Sequence, residues 1–455
     1  MAMKASDVTP SLLDERWEAY GMAMKAGLLT VAAIGIVGPA WAQDVRTGAA
    51  AYGDWRSDAP GVARHIGAAD LPAPGASASA SQSPEVIAQP SGAALKVPPG
   101  FTVRQWASGL VIPRTLRTAP NGDVFLAETG GGRVLVWRAA ETGAQPGRPS
   151  VFASGLEGPF GIAFWPVAKP RFVYVAETNR VVRYPYDGGA RPTGPAQVII
   201  PSLPEGGHST RDLAVAPDGT RLFLSVGSAS NVARGMRGAA VPGNAAASGA
   251  GSGDEAGRAA VLAFAPEGGS LTLVASGLRN CVSLAVQPQN GALWCATNER
   301  DGMGDDLPPD YATRVTPGSF FGWPWYYIGA HEDPRHRGER PDLANQIRVP
   351  DVLIQPHSAP LGLVFYEGAQ FPSEYHGDAF VTLHGSWNRA KRTGYKVVRL
   401  RIQDGVPTGV YEDFLTGFVA NQAAVWGRPV GITVAQDGAL LVSEDGNGTI
   451  WRVSH

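Results

Sequence analysis

Four arginines, Arg114, Arg211, Arg279 and Arg428, and the histidines His208 and His357 recur at one kind of place in this chain, the first residues of a short apolar strand. In "GHSTRDLAVAPDGTRLFLSVGS" (207–228), His208 and Arg211 precede the strand that carries Leu213 and Val215. Cations gathered where water is scarce repel one another unless carboxylates or an anionic ligand balance them. A planar anion rich in hydrogen-bond acceptors fits such a set. The loop "NERDGMGDD" (298–306) adds Glu299, Asp301, Asp305 and Asp306 around two glycines. That composition suits a hard cation such as calcium, although the spacing is not that of an EF-hand. The plainer readings are that each arginine pairs with Glu128, Glu177 or Asp212, that His208 is a hydrogen-bonded strand-end histidine, and that the loop is merely solvated.

These residues need elements to place them, and the chain repeats one phrase: a short strand, a turn, another strand. It reads "RTLRTAPNGDVFLAET", "FGIAFWPVAKPRFVYVAET", "RDLAVAPDGTRLFLSVGS", "VSLAVQPQNGALWCATNE", "LGLVFYEGAQFPSEYHGDAFVTLHGS" and "VGITVAQDGALLVSED", six copies between residue 95 and the end. About 60 residues per copy leaves room for a four-stranded blade, and stacked blades bury what one blade cannot. The expected fold is all-β, a six-bladed β-propeller. "FTVRQWASGL" (101–110) precedes the first copy and "TIWRV" ends the last, so the N-terminal strand is expected to close the ring. The first strand of each copy lies innermost and the second returns antiparallel, so two rings of polar residues converge on one mouth. The inner ring holds the arginines and histidines above, with Asn280; the returning ring holds Glu128, Glu177, Ser228, Glu299, Arg300, Asp301, His384, Trp387, Arg389 and Asp445. Residues 304–350, with "FFGWPWYY", are expected to build a rim.

The rest of the sequence sets limits. A net charge of −2 and 17% charged residues show no bias toward nucleic acid. Residues 22–42, "MAMKAGLLTVAAIGIVGPAWA", read as a secretory signal peptide ending in A-x-A, with the true start at Met22 or Met24, and imply a periplasmic or secreted protein with no stable membrane span after cleavage. Residues 43–94 are Ala, Pro, Ser and Gly rich and are expected to form a flexible linker ahead of the propeller at 95–455. Cys281 and Cys295 flank a turn at "PQNG"; a tight turn sets Cys295 opposite Leu284, which does not favour a disulfide between them. No C-x-x-C-H marks a covalent haem.

The phrases "LPEGGHSTRDLAVAPDGTRLFLSVGSASNV", "SGLRNCVSLAVQPQNGALWCATNERDGMGDDLPPDY", "HSAPLGLVFY", "HGSWNRAKRTGYKVVRL" and "WGRPVGITVAQDGALLVSEDG" resemble the pyrroloquinoline quinone (PQQ) dependent sugar dehydrogenases of the glucose/sorbosone type, with the L-sorbosone branch nearest. The resemblance spans 101–455. It implies PQQ and calcium in the central cleft, and oxidation of a sugar hydroxyl or hydrated aldehyde by hydride transfer to PQQ. His208 then stands where the family has its general base, Arg279 and Asn280 where a pair contacts the quinone carbonyl, and backbone carbonyls near Arg300 and Asp301 in the calcium loop, completed by Glu299, Asp305 and Asp306. Arg114, Arg211, His384, Trp387, Arg389, Lys391, Arg392 and Arg428 are expected around the cofactor, and His357 takes the place of a lysine that the glucose-oxidising branch carries. The lack of a haem motif implies a separate electron acceptor, a quinone or cytochrome. Two rivals remain: a calcium-dependent lactonase-type propeller, which predicts carboxylate and asparagine ligands on the axis, and a non-catalytic propeller that binds through Trp323, Trp325, Tyr326 and Tyr327.

Overall fold

A computed structural model describes residues 44–139, 146–236 and 253–455. The expected signal peptide, its alternative start sites and much of the loop 231–257 lie outside the described residues.

Six sheets follow the six repeats, each with four antiparallel strands, and Ser319–Phe320 adds a short parallel strand to the third. Their innermost strands are Pro113–Thr118, Gly161–Trp165, Leu213–Val215, Cys281–Val286, Pro360–Phe365 and Pro429–Val434, each touching the inner strand of the next blade until the last meets the first. The second strands of these sheets are buried along their length, as in Val124–Glu128 and Leu440–Glu444, because both faces pack on neighbouring blades. At the axis the backbones approach so closely that side chains must be omitted. A Cβ on Gly161, Gly362 or Gly431 would strike backbone atoms of Arg211, Val430 and Arg114 respectively, which explains the recurring second-position glycine of "FGIAF", "LGLVF" and "VGITV". Thr102–Ala107 pairs with Thr449–Ser454, so the last blade is finished by the N-terminal strand, as the sequence suggests.

In every blade the start of the inner strand lies opposite the end of the second, for example Pro113 with Glu128, Gly161 with Ala176 and Pro429 with Glu444. The residues before the one and after the other therefore share one end of the ring. Just beneath it Phe160, Val282, Leu361 and Val430, from four different blades, form a buried apolar plug. The mouth thus has a dry floor.

The stretch expected as a flexible linker is instead an arm laid along blades five and six. Ala63–His65 adds a fifth strand to blade five against Val406–Leu415, and Glu85–Val86 pairs with Ala424–Val425. Its anchor is a buried charge quartet: Arg64 reaches Asp413 and Asp58, each at 2.8 Å, and Lys396 reaches the same two carboxylates at 2.7 Å. Single anchors of this kind leave no periodicity, so composition alone misreads the segment.

Two further expectations change. Cys281 and Cys295 form a disulfide, with Cα atoms 5.8 Å apart. Cys295 does lie opposite Leu284, but a bulge between Cys281 and Ser283 sets Cys281 opposite Thr297 and turns its side chain to the face that Cys295 occupies. The aromatic rim is packing rather than a binding surface, since Trp323, Trp325, Tyr326 and Tyr327 are all buried.

Candidate active site

His208 opens blade three, half-buried at the mouth. Its Nδ1 donates to the carbonyl oxygen of Ser228 at 2.8 Å; the Ser228 hydroxyl, 3.1 Å from the same nitrogen, donates onward to the carbonyl of Ser230. This assigns the proton to Nδ1 and leaves the Nε2 lone pair unspent. Burial, and after it the Arg279 guanidinium, lowers the imidazole pKa to about 4. His208 is therefore neutral at neutral pH.

Beside it stand Arg279 and Asn280, the residues entering blade four. Arg279 is buried; its Nη1 donates to the carbonyls of Glu299 and Asn298 at 2.8 and 3.3 Å, and its Nη2 lies 3.5 Å from Asp301. The Asn280 amide oxygen is buried with no partner. A Cβ on Gly227 would strike both that oxygen and the His208 Cβ, so the glycine is what lets the two side chains lie close together.

The next blades supply a second cluster. Asp445 accepts from Arg114 at 2.7 Å and from His384 Nε2 at 2.9 Å, and lies 2.9 Å from the Nε of Arg428. Burial acts to raise the Asp445 carboxyl, but His384, Arg114 and Arg428 outweigh it and hold it well below the usual range. Two guanidiniums on one carboxylate leave positive charge in excess. The Arg114 guanidinium also lies 5.5 Å over the Phe160 ring of the floor.

Other expected site residues are placed differently. Arg211 is fully buried and spends its guanidinium on the carbonyls of His208, Thr210 and Pro204, so it braces the loop that carries His208 instead of facing the mouth. Arg392 braces likewise, donating to the carbonyls of Gln422, Gln82 and Ser386, and Lys391 is exposed with no described contact. His357 donates from Nε2 to the Gly304 carbonyl at 3.0 Å and accepts from Asn388 at 3.0 Å, so both nitrogens are spent inside the protein. Trp387 is 49% exposed on the same loop as Asn388 and Arg389. The arginines do not pair with Glu128, Glu177 or Asp212; those bind Arg133, Arg180 and Arg117.

The acidic loop does not assemble a carboxylate cage. Glu299 holds the buried Arg300, which also reaches Asp333; Asp301 is bound by Asn388, Asp306 by Arg389, and Asp305 by the backbone N–H groups of Ala80 and Ala390. The Asp301 carbonyl accepts from Arg335 at 2.7 Å. Among the described residues no group of three or more His, Cys, Asp or Glu side chains is arranged to hold a metal ion. The count of acidic residues says nothing of the cations, amide and backbone N–H groups that engage them.

Sequence reasoning also missed Asn231, whose side-chain amide donates to the Asp301 carbonyl and accepts from the Asp301 N–H, and Arg335 of the rim insertion. The arm contributes as well: the Gly53 carbonyl accepts from Arg389 and Gln355, and the hydroxyls of Ser77 and Ser79 accept from the N–H groups of Asp305 and Gly304. No motif announces these contacts.

A closed propeller with a neutral imidazole, partnerless amide oxygen and surplus guanidinium charge over an apolar floor has the chemistry to receive a small, acceptor-rich anion. The comparisons agree in kind. The TrAA12-like family pattern matches residues 95–314 and 334–455, and the chain belongs to that family. The resemblance to PQQ-dependent sugar dehydrogenases read from the sequence is borne out at this level. An uncharacterised protein of Borreliella burgdorferi is 28% identical over 374 residues, 79% of this chain and 90% of that protein. A PQQ-dependent pyranose dehydrogenase of Coprinopsis cinerea is 34% identical over 128 residues, which is 24% of this chain and 17% of that enzyme. Its PQQ domain in the holo form superposes with a TM-score of 0.65 at 19% identity, over 81% of this chain and 98% of the domain. The calcium structure of the Trichoderma reesei enzyme of carbohydrate-active family AA12 gives a TM-score of 0.66 at 20% identity, over 81% of this chain and 98% of that chain. These structural likenesses establish the shared fold.

Proposed function

We propose that the protein is an exported PQQ-dependent oxidoreductase that converts a sugar hydroxyl, or the hydrate of a sugar aldehyde, to the carbonyl product, with His208 as general base. The observation that carries this reading is the pairing of a neutral, Nδ1-pinned imidazole with Arg279 and the partnerless Asn280 oxygen. When bound, PQQ supplies the carbon that accepts the hydride. The residues present fit it: surplus charge from Arg114 and Arg428 attracts carboxylates, and the floor of Phe160, Val282, Leu361 and Val430 suits a flat ring system. His208 Nε2 takes the hydroxyl proton as the C–H bond yields its hydride. Arg279, already fixed by two carbonyls, presents positive charge without having to reorganise.

Calcium belongs to the same reading through the AA12 relative. Each carboxylate of the 298–306 loop is engaged by protein donors, and among the described residues none joins a set of three or more side chains arranged for a metal ion. The lactonase alternative requires free acidic ligands on the axis, whereas Asp212 there is bound by Arg117 and by the N–H groups of Leu213 and Leu284. The deciding experiment is titration of PQQ into the purified chain with calcium, followed by dye reduction with a panel of aldoses and sorbosone. Saturable binding and sugar-dependent reduction lost in His208→Ala support the proposal; no binding at micromolar PQQ sinks it.

A further inference from the structure

Among the described residues, four of the six inner strands open with the same irregularity. Pro113 lies opposite Glu128, Cys281 opposite Thr297, Pro360 opposite Leu383 and Pro429 opposite Glu444, and after each pair the inner strand carries one residue more than its partner. The sequences there are "PRTL" (113–116), "CVSL" (281–284), "PLGL" (360–363) and "PVGI" (429–432). The hydrogen bonds correspond as well. The carbonyl just ahead of the pair, of Ile112, Asn280, Ala359 and Arg428, accepts from the N–H of Thr129, Asn298, His384 and Asp445 at 3.1, 3.0, 2.9 and 3.2 Å respectively. Cys281 stands where the other three strands have proline.

This bulge places what the mouth needs. Its extra residue enters the floor in blades four, five and six, as Val282, Leu361 and Val430. The residue ahead of it is Asn280 in blade four and Arg428 in blade six, and Arg279 precedes Asn280. A bulge that slips by one position turns such side chains to the opposite face. Proline resists slipping, because its ring fixes φ and it has no N–H to offer a shifted partner. Cysteine has neither property. Blade four also has more to hold down: Arg279 and Asn280 are each 6% exposed, and the Asn280 amide oxygen is buried without a partner. Both side chains would gain by turning to water.

The bond from Cys281 to Cys295 supplies the missing restraint. Both residues are fully buried, and the bulge alone puts Cys281 on the face that Cys295 occupies, so a shifted bulge would part the two sulfurs. We infer that this disulfide is a positioning element of the site: it fixes in blade four the bulge that proline fixes in blades one, five and six, and so sets Arg279 and Asn280 beside His208. The placement stands on the geometry; its effect on PQQ binding rests on the dehydrogenase reading. The Arg279 carbonyl accepts from the Ser228 N–H at 2.8 Å, so a shift at the bulge also reaches the residue that holds the His208 imidazole.

The test compares two double replacements in the full chain, Cys281→Ala with Cys295→Ala, and Cys281→Pro with Cys295→Ala. Both lose the cross-link and its constraint on the unfolded chain, so a difference between them reports the bulge. Blade six is the template for the proline, since Arg428, like Asn280, lacks the positive φ of Ile112 (49°) and Ala359 (55°). First, the His208 imidazole is titrated by NMR without PQQ. It should titrate at higher pH in the alanine pair than in the unaltered chain, because the Arg279 charge withdraws, and at the unaltered position in the proline pair. Second, PQQ with calcium should bind the alanine pair about ten- to a hundredfold more weakly, the scale of loss when site groups are misplaced, and the proline pair within a few-fold of the unaltered chain. An alanine pair with unshifted His208 and full PQQ affinity overturns the proposal, as does a proline pair in which both are lost. Failure of the unaltered chain to bind PQQ refutes the dehydrogenase reading instead, and the imidazole titration then decides the placement.

Discussion

His208 and Ser228 are joined twice across the first hairpin of blade three: the backbone N–H of His208 and its imidazole Nδ1 donate to the same Ser228 carbonyl oxygen, at 3.0 and 2.8 Å. The ring is thereby fixed with one nitrogen held and the other available. Replacing His208 by Ala should lower kcat for sugar oxidation by about 10²- to 10⁴-fold and leave PQQ binding within a few-fold. Steady-state kinetics beside a PQQ titration check this; unchanged kcat would remove His208 from the chemistry.

The pH profile follows from the same residue. With its pKa lowered from 6.5 to about 4, the imidazole remains a competent base throughout mildly acidic solution. The acid limb of kcat/KM should fall near pH 4 and not near 6.5. Because the folded state binds this proton less readily than the unfolded chain, His208 costs stability progressively as pH falls from about 6.5 toward 4. Arg279→Gln, which removes the second cause of the shift, should move the acid limb upward. A profile centred at the ordinary histidine value in the unaltered protein would contradict this assignment.

Asp445 is the carboxylate shared by Arg114, Arg428 and His384. Asp445→Asn leaves two guanidiniums unmatched at a mostly buried position and should destabilise the protein by about 3–5 kcal/mol. Added PQQ, through its carboxylates, should recover more of the melting temperature in the variant than in the unaltered protein. Calorimetry with and without PQQ decides the matter.

The arm depends on one buried quartet. Arg64→Met leaves Asp58 and Asp413 with Lys396 alone. Native-state proteolysis should then cut before residue 95 while the propeller stays resistant, and the contacts of Ser77, Ser79 and Gly53 with the mouth loops should be lost with the arm. An arm still protected in this variant would mean that strand pairing alone retains it.

Gly431 lies where a Cβ would strike the Arg114 carbonyl. Gly431→Ala should cost about 1–3 kcal/mol by overpacking and also weaken PQQ binding, since it displaces the strand that carries Arg114. Unfolding in denaturant together with a PQQ titration measures both.

The sequence makes the ring legible because each repeat states its own strands: the strand–turn–strand phrase recurs in every copy, a turn glycine in five of the six and an axial glycine in three. It also shows which residue types reach the mouth, and His208, Arg279, Asn280 and Arg428 arrive there. What it conceals is pairing across distance. Arg211 and Arg392 look like ring cations, yet backbone carbonyls absorb them, and the carboxylates of the 298–306 loop are engaged by Arg389, Asn388 and an arm more than 200 residues away in sequence. The arm itself has no repeating face, because it binds by isolated anchors. A bulge of one residue reverses the side-chain faces at Cys281, and nothing in "RNCVSLAV" marks it.

The pairing of Thr102–Ala107 with Thr449–Ser454 also governs when the molecule comes into being. The earliest propeller strand waits, without its partner, while five blades are laid down, and the ring shuts only when the final strand is delivered. Until that moment the mouth has no complete circumference, since Arg114 and Asp445 come from opposite ends of the propeller. A chain lacking its terminal strand would lose the pairing that brings the two ends of the propeller together, and with it the support for the Arg114–Asp445 contact.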